Sequence, residues 1–126
     1  MSQGGSRLTM SNTLDIGSQE NLLYGVGVEF AHPEETGGQV IIKSLTTGYS
    51  AQRSGQVQPG DELVEVDGQE VQCDIARARV LILGRQGTFA TVVVCRADGN
   101  NLRSRRVMLM RGCADYIQMY ERLSLL

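Results

Sequence analysis

Tyr24-Gly25-Val26-Gly27-Val28-Glu29-Phe30 is a glycine-paired loop that runs straight into a strand. Two glycines around one apolar residue let the backbone turn tightly and aim successive N–H groups at one spot. Such a nest holds a carboxylate well, and the strand beyond it offers an edge to an extended peptide. Gly-x-Gly alone is a weak signal. The segments on either side supply its meaning.

Downstream, turn residues and alternation divide the chain. Residues 32–38 (His-Pro-Glu-Glu-Thr-Gly-Gly) read as a polar, hairpin-like loop in which Pro33 ends strand pairing. Residues 39–45 are rich in β-branched side chains and read as a buried strand. Residues 50–55 read as one helical turn, capped by Ser50 and closed by Gly55. Pro59-Gly60 marks a turn, residues 63–66 a strand, and Asp67-Gly68 a tight turn toward Val71. Asp74 caps a helix running to Leu83, with Gly84 ending it. Residues 88–96 and 102–110 read as strands joined by a hairpin turn. The order β-β-short α-β-α-β-β predicts a mostly β fold with two helices. That fold is a small antiparallel barrel or sandwich capped by a short and a longer helix.

Upstream, residues 1–20 are polar and aperiodic and read as a flexible leader, with Leu8, Met10, Leu14 and Ile16 as candidates for one short strand. The expected domain covers residues 21–112. Residues 113–126 form a C-terminal helical extension, with Tyr116, Tyr120 and Leu123 on one face and Ile117 and Glu121 on another.

A chain of 126 residues suits a single domain with one modest core. Its net charge of −2 argues against a dedicated nucleic-acid binder, and Lys43 is the only lysine. No apolar run has the length of a membrane span, and the N-terminus lacks the segments of a signal peptide. The three cysteines, Cys73, Cys95 and Cys113, have no close pair and read as reduced thiols of a cytoplasmic protein.

Four motifs follow one another over roughly residues 22–111. They are the Gly25-Val26-Gly27-Val28 loop, Gly48-x-x-Ala51-x-x-Ser54-Gly55, Gly60-Asp61-x-Leu63-x-x-Val66-Asp67-Gly68, and the helix from Asp74. In this order and spacing the chain resembles a PDZ domain. Its second half, Leu83-Gly84-Arg85-Gln86-Gly87-Thr88 followed by Val92-Val93-Val94-Cys95-Arg96, is most similar to the PDZ modules of C-terminal processing proteases. Stand-alone PDZ proteins share that pattern.

The resemblance implies a groove between strand 28–30 and helix 74–83. An extended peptide adds to the strand, and its carboxylate is held by the amides of Val26, Gly27 and Val28. Gly25, Glu29, Phe30, Ala76, Arg77, Val80 and Leu83 are the expected groove residues. Val26, Val28, Phe30, Val80 and Leu83 form the expected apolar pocket for the last side chain. Ala76 stands where relatives that read a Ser or Thr place histidine, so an apolar preference is expected there, with Arg77 or Arg79 available to an acidic residue. Gln19, Glu20 and Asn21 stand where many relatives carry a bridging Arg or Lys.

The expected function is a non-enzymatic, cytoplasmic interaction module of scaffold or signalling type. It recognises the C-terminus or an internal β-finger of a partner; the alternative is the substrate-recognition PDZ domain of a larger protease. Expected partners are C-terminal peptides with an apolar last residue. No cofactor, metal, nucleic acid or membrane contact is expected. His32 reads as a solvated loop residue. Cys73 lies just before the Asp74 helix, whose N-terminus makes it the one thiol to test for reactivity, with an inert buried thiol as the bland reading. Asp61, Asp67 and Asp74 belong to turns and caps and not to a catalytic pair. Arg103, Arg105, Arg106 and Arg111 read as a solvated basic strand face. Self-association through residues 113–126 is a further expectation, and Ser124-Leu125-Leu126 itself has the form of a PDZ ligand.

Overall fold

Alternation along residues 89–98 is the simplest pattern in the chain. Ala90, Val92 and Val94 are buried while their neighbours are not, as a strand with one face on the core requires. The computed structural model describes residues 22–125. The expected leader, its candidate strand, Gln19, Glu20, Asn21 and Leu126 lie outside the described residues. In chain order the elements are β1 (Val28–Phe30), α1 (Pro33–Thr36), β2 (Ile42–Leu45), α2 (Ser50–Ser54), β3 (Glu62–Val66), β4 (Gln69–Glu70), α3 (Ile75–Ile82), β5 (Phe89–Asp98), β6 (Asn101–Met110) and α4 (Ala114–Ser124).

β5 and β6 pair antiparallel throughout, from Phe89 opposite Met110 to Asp98 opposite Asn101. β3 pairs with the other side of β5, and β4 with β3, giving the sheet order β4-β3-β5-β6. β1 and β2 form a separate antiparallel pair. Ile42 N–H donates to Asp61 O (2.9 Å) and Leu63 N–H to Val40 O (2.9 Å), so the two sheets join at a corner. Within β3, Leu63 and Val66 are both buried although strict alternation would send them to opposite faces. A bulge at Val64 resolves this: Leu63 faces Val94 while Glu65 faces Val93. Val26, Phe30, Ile42, Leu63 and Leu109 meet in the core, which Ala51 of α2 and Ala78 and Ile82 of α3 help close.

The mostly β class holds, but the described residues contain four helices. The loop after β1 holds α1, because Pro33 presets the first helical position. Gly37 then closes the helix in the left-handed conformation at φ 70°, donating to Pro33 O. Ser50, expected as the cap of α2, lies inside the helix instead. Tyr49 is the N-cap and makes no side-chain cap bond. Asp74 does cap α3, accepting from Arg77 N–H at 3.2 Å. Asp67 and Gly68 take φ values of 51° and 81°, the two left-handed positions of a two-residue hairpin turn between β3 and β4. On α4 Ile117 is buried and Tyr116 is half-buried against Gly87 and Gly112, while Tyr120 and Leu123 are exposed.

Candidate functional site

β1 is paired on one side only. Thr46 N–H donates to Gly27 O (2.8 Å) and Ala31 N–H to Ile41 O (2.9 Å), so residues 27 and 31 bond toward β2. By alternation, the peptide groups of Val28 and Phe30 point to the opposite edge. Among the described residues no strand occupies that edge. Across from it stands α3, and between them lies a cleft of about 290 Å³. Its β1 wall runs from Gly25 to Phe30; its helical wall is Arg79, Ile82 and Leu83.

The loop at the end of this cleft is held from behind. The carbonyls of Gly25, Val26 and Gly27 accept from Gly112 (3.1 Å), Ala51 (3.0 Å) and Thr46 (2.8 Å). With the carbonyls engaged by the body of the domain, the Val26 and Gly27 amides have no backbone acceptor among the described residues. Gly27 sits at φ 87°, and a Cβ there would come within 2.7 Å of Tyr49 Cγ. Glycine is needed both for the turn and for this close approach.

The structure gathers Gly25, Val26, Gly27, Val28, Glu29, Phe30 and Leu83 around the cleft. Val26 and Phe30 turn their side chains into the core, so Val26 offers the cleft only its backbone. Ala76, Arg77 and Val80 stand elsewhere. Val80 is 72% exposed, and Arg77 Nε donates to Glu70 O at 2.7 Å. The helical wall is instead Arg79 and Ile82 with Leu83. One residue of helix rotates the side chain by about 100°, enough to carry Val80 off the wall that Arg79 lines. Ile82 was hidden in the sequence by its apolar neighbours, since Val80, Leu81, Ile82 and Leu83 offer several equally good stripes.

The PDZ domain family model matches residues 16–74. A solved PDZ domain of carboxy-terminal protease from Vibrio cholerae, in complex with peptide, superposes with a TM-score of 0.61 at 27% identity. That match covers 71% of this chain and 95% of the other. The chain has a PDZ-like fold. Photosystem II D1 C-terminal processing protease matches with a TM-score of 0.58 at 28% identity, over 71% of this chain but only 23% of that longer one. No curated relative matches the chain. PDZ domains are peptide-binding modules and are generally non-catalytic.

Two arginines fasten this PDZ-like domain together. Arg111 is only 7% exposed, which removes it from the solvated cluster in which its sequence position places it. Its guanidinium donates to Ile82 O (2.6 Å), Leu81 O (3.2 Å), Phe89 O (2.8 Å), Thr88 Oγ1 (3.1 Å) and Asp67 Oδ2 (3.3 Å). It therefore satisfies carbonyls at the C-terminal end of α3, where a cation also complements the helix dipole. Gly84 leaves room for it, since a Cβ there would lie 2.6 Å from Arg111 Nε. Arg103 and Arg106 are exposed.

Arg96 forms a two-pronged pair with Asp61, Nε to Oδ1 at 2.7 Å and Nη2 to Oδ2 at 2.9 Å. Asp61 is 1% exposed and also accepts from Gln58 N–H at 2.9 Å. Burial pushes its carboxyl pKa up. The bonds from Arg96 and Gln58, with the charges of Arg96 and Arg105, pull it further down, so it lies below the ordinary value. Asp61 is thus a structural anion and not an acid–base candidate. His32 is exposed at the start of α1, and Cys73, also exposed, is not the buried thiol of the bland reading. Among the described residues no His/Cys/Asp/Glu group is placed to hold a metal, and no helix is long and apolar enough to cross a membrane.

Proposed function

We propose that this PDZ-like domain captures the free C-terminus of an extended peptide by adding it to the outer edge of β1. The observation that carries the reading is the loop itself. The Gly25, Val26 and Gly27 carbonyls are engaged behind it, while the Val26 and Gly27 amides lack backbone acceptors among the described residues, beside an open cleft. A terminal carboxylate supplies the acceptors those amides need, and the Val28 amide joins them. The last side chain enters beside Val28, Ile82 and Leu83, which favours an apolar residue. Main-chain pairing supplies affinity of roughly micromolar strength, about 8 kcal/mol.

The test is fluorescence polarisation with matched peptides made as free acid and as amide. Capture predicts that the acid binds at least about tenfold more tightly; equal binding would exclude it and favour an internal β-finger. A bulky residue at Gly27 is a poor probe, because it would displace Tyr49 and disturb the fold. Leu83, 41% exposed on the helical wall, is a better one. Leu83→Asp is expected to weaken apolar-ended peptides about tenfold or more while costing about 1 kcal/mol of stability, since it sets an anion at the C-terminal end of α3. Unchanged affinity would remove the cleft from consideration.

A second reading makes this module the substrate-recognition part of a larger protease. It is supported by the protease names of both solved relatives. A full-length transcript encoding a Ser/Lys catalytic domain in frame would establish it; a transcript without one would exclude it. On either reading residues 21–112 are the binding domain and residues 113–126 an extension. Leu123 and Leu125, 60% and 86% exposed, are the residues through which that extension would self-associate.

A further inference from the structure

Charge is placed on both walls of the cleft: Glu29 on β1 and Arg79 on α3. Which ligand residues meet them follows from geometry once the carboxylate is placed, so the inference rests on the capture reading above. A carboxylate on the Val26–Val28 amides fixes the ligand's end beside Val28. A strand added there must run antiparallel to β1, with its last three residues opposite Val28, Glu29 and Phe30 in turn.

Side chains of opposed residues share a face. The last and third-from-last side chains therefore point with Val28 and Phe30, toward α3, and the penultimate one points with Glu29. One turn of α3 rises about 5.4 Å, and two strand residues span about 6.6 Å. The last side chain lies beside Ile82 and Leu83, so the one two residues upstream lies one turn earlier on the helix, beside Arg79. The exposed Arg79 side chain makes no hydrogen bond or ion pair among the described residues. Glu29 accepts a single bond, from Ser44 Oγ at 2.7 Å, which leaves its second carboxylate oxygen available.

We propose that the cleft selects free C-termini whose last three residues read acidic, basic, apolar. The acidic side chain pairs with Arg79 and the basic one with Glu29 across the strand. Arginine suits this task, because its planar fork matches a carboxylate and its long stem reaches along an apolar wall. The alternation of charge comes from the two walls, and either wall read alone would miss it.

The full chain and dye-labelled peptides ending in Glu-Lys-Leu, Lys-Lys-Leu, Glu-Glu-Leu and Lys-Glu-Leu test it, with the Glu-Lys-Leu amide as control. The Glu-Lys-Leu acid should bind about tenfold more tightly than Lys-Glu-Leu, with most of the difference from the residue beside Arg79. Arg79→Glu should reverse the preference at the third-from-last position, and Glu29→Lys the preference at the penultimate one. Both side chains are exposed, so these swaps leave the core untouched. Acids that all bind equally, or swapped chains that keep the original order, would overturn the charge pattern while capture stands. An amide that binds as tightly as its acid would overturn capture and the register with it.

Discussion

Replacing Arg111 by methionine keeps an apolar stem of similar length and removes all five guanidinium hydrogen bonds. Two of the abandoned acceptors, Leu81 O and Ile82 O, close α3 beneath the cleft. Leaving a buried carbonyl unpaired costs about 1–2 kcal/mol. The Asp67 pair adds less, because the Asp67 side chain is 42% exposed. Relief from burying a charge offsets part of the loss. The net expectation is a destabilisation of about 3 kcal/mol. With a urea m-value of about 1.5 kcal/mol per molar for a domain of this size, the unfolding midpoint falls by about 2 M. Arg106, on the strand that leads into Arg111 but 66% exposed, supplies the comparison. Arg106→Met should shift stability by no more than about 0.5 kcal/mol. Urea unfolding followed by circular dichroism measures both. If the two variants lose equal stability, Arg111 does not hold the end of α3 and the argument fails.

Asp61→Asn is predicted to destabilise in a pH-dependent way. The native carboxyl is held below its ordinary value. The unfolded chain therefore takes up its proton first, near pH 3.9. The stabilisation is complete above that pH and fades as pH falls through the lower native value. Unfolding midpoints of wild type and variant should differ clearly at pH 6 and converge toward pH 2; a constant gap would refute the assignment. Ser50→Ala should raise stability by about 1 kcal/mol, or about 4 °C in melting temperature. Its Oγ is buried without a hydrogen-bond partner among the described residues. A loss of similar size by calorimetry would mean that the hydroxyl is bonded after all.

Local chemistry was readable wherever one or two residues decide a conformation. Asp67-Gly68 forces the β3–β4 hairpin, Gly55 closes α2, and Asp74 starts α3, each through its own backbone or side chain. Pro33 shows the limit, since the same ring that ends a strand also begins a helix, and only the residues after it chose α1. Ser50 shows another: its side chain competes for the cap only if it stands just before the helix, and Tyr49 took that place. At Arg111 the sequence shows a fourth arginine after three solvated ones. Its burial depends on carbonyls from α3 and β5, 22 to 30 residues away.

By itself the sequence determined the strands, the helices other than α1, their order and the place of the glycine loop, because turns, caps and alternation act over a few neighbouring residues. Tertiary structure alone decided which face of α3 lines the cleft, putting Arg79 and Ile82 there in place of Val80. It also decided that the loop amides have no backbone acceptors among the described residues, by drawing the carbonyls of Gly25, Val26 and Gly27 to partners at residues 112, 51 and 46. The reason is physical. A helix with several apolar stripes has no preferred face until a core is offered to it, and a peptide group is oriented by whichever distant amide reaches its carbonyl.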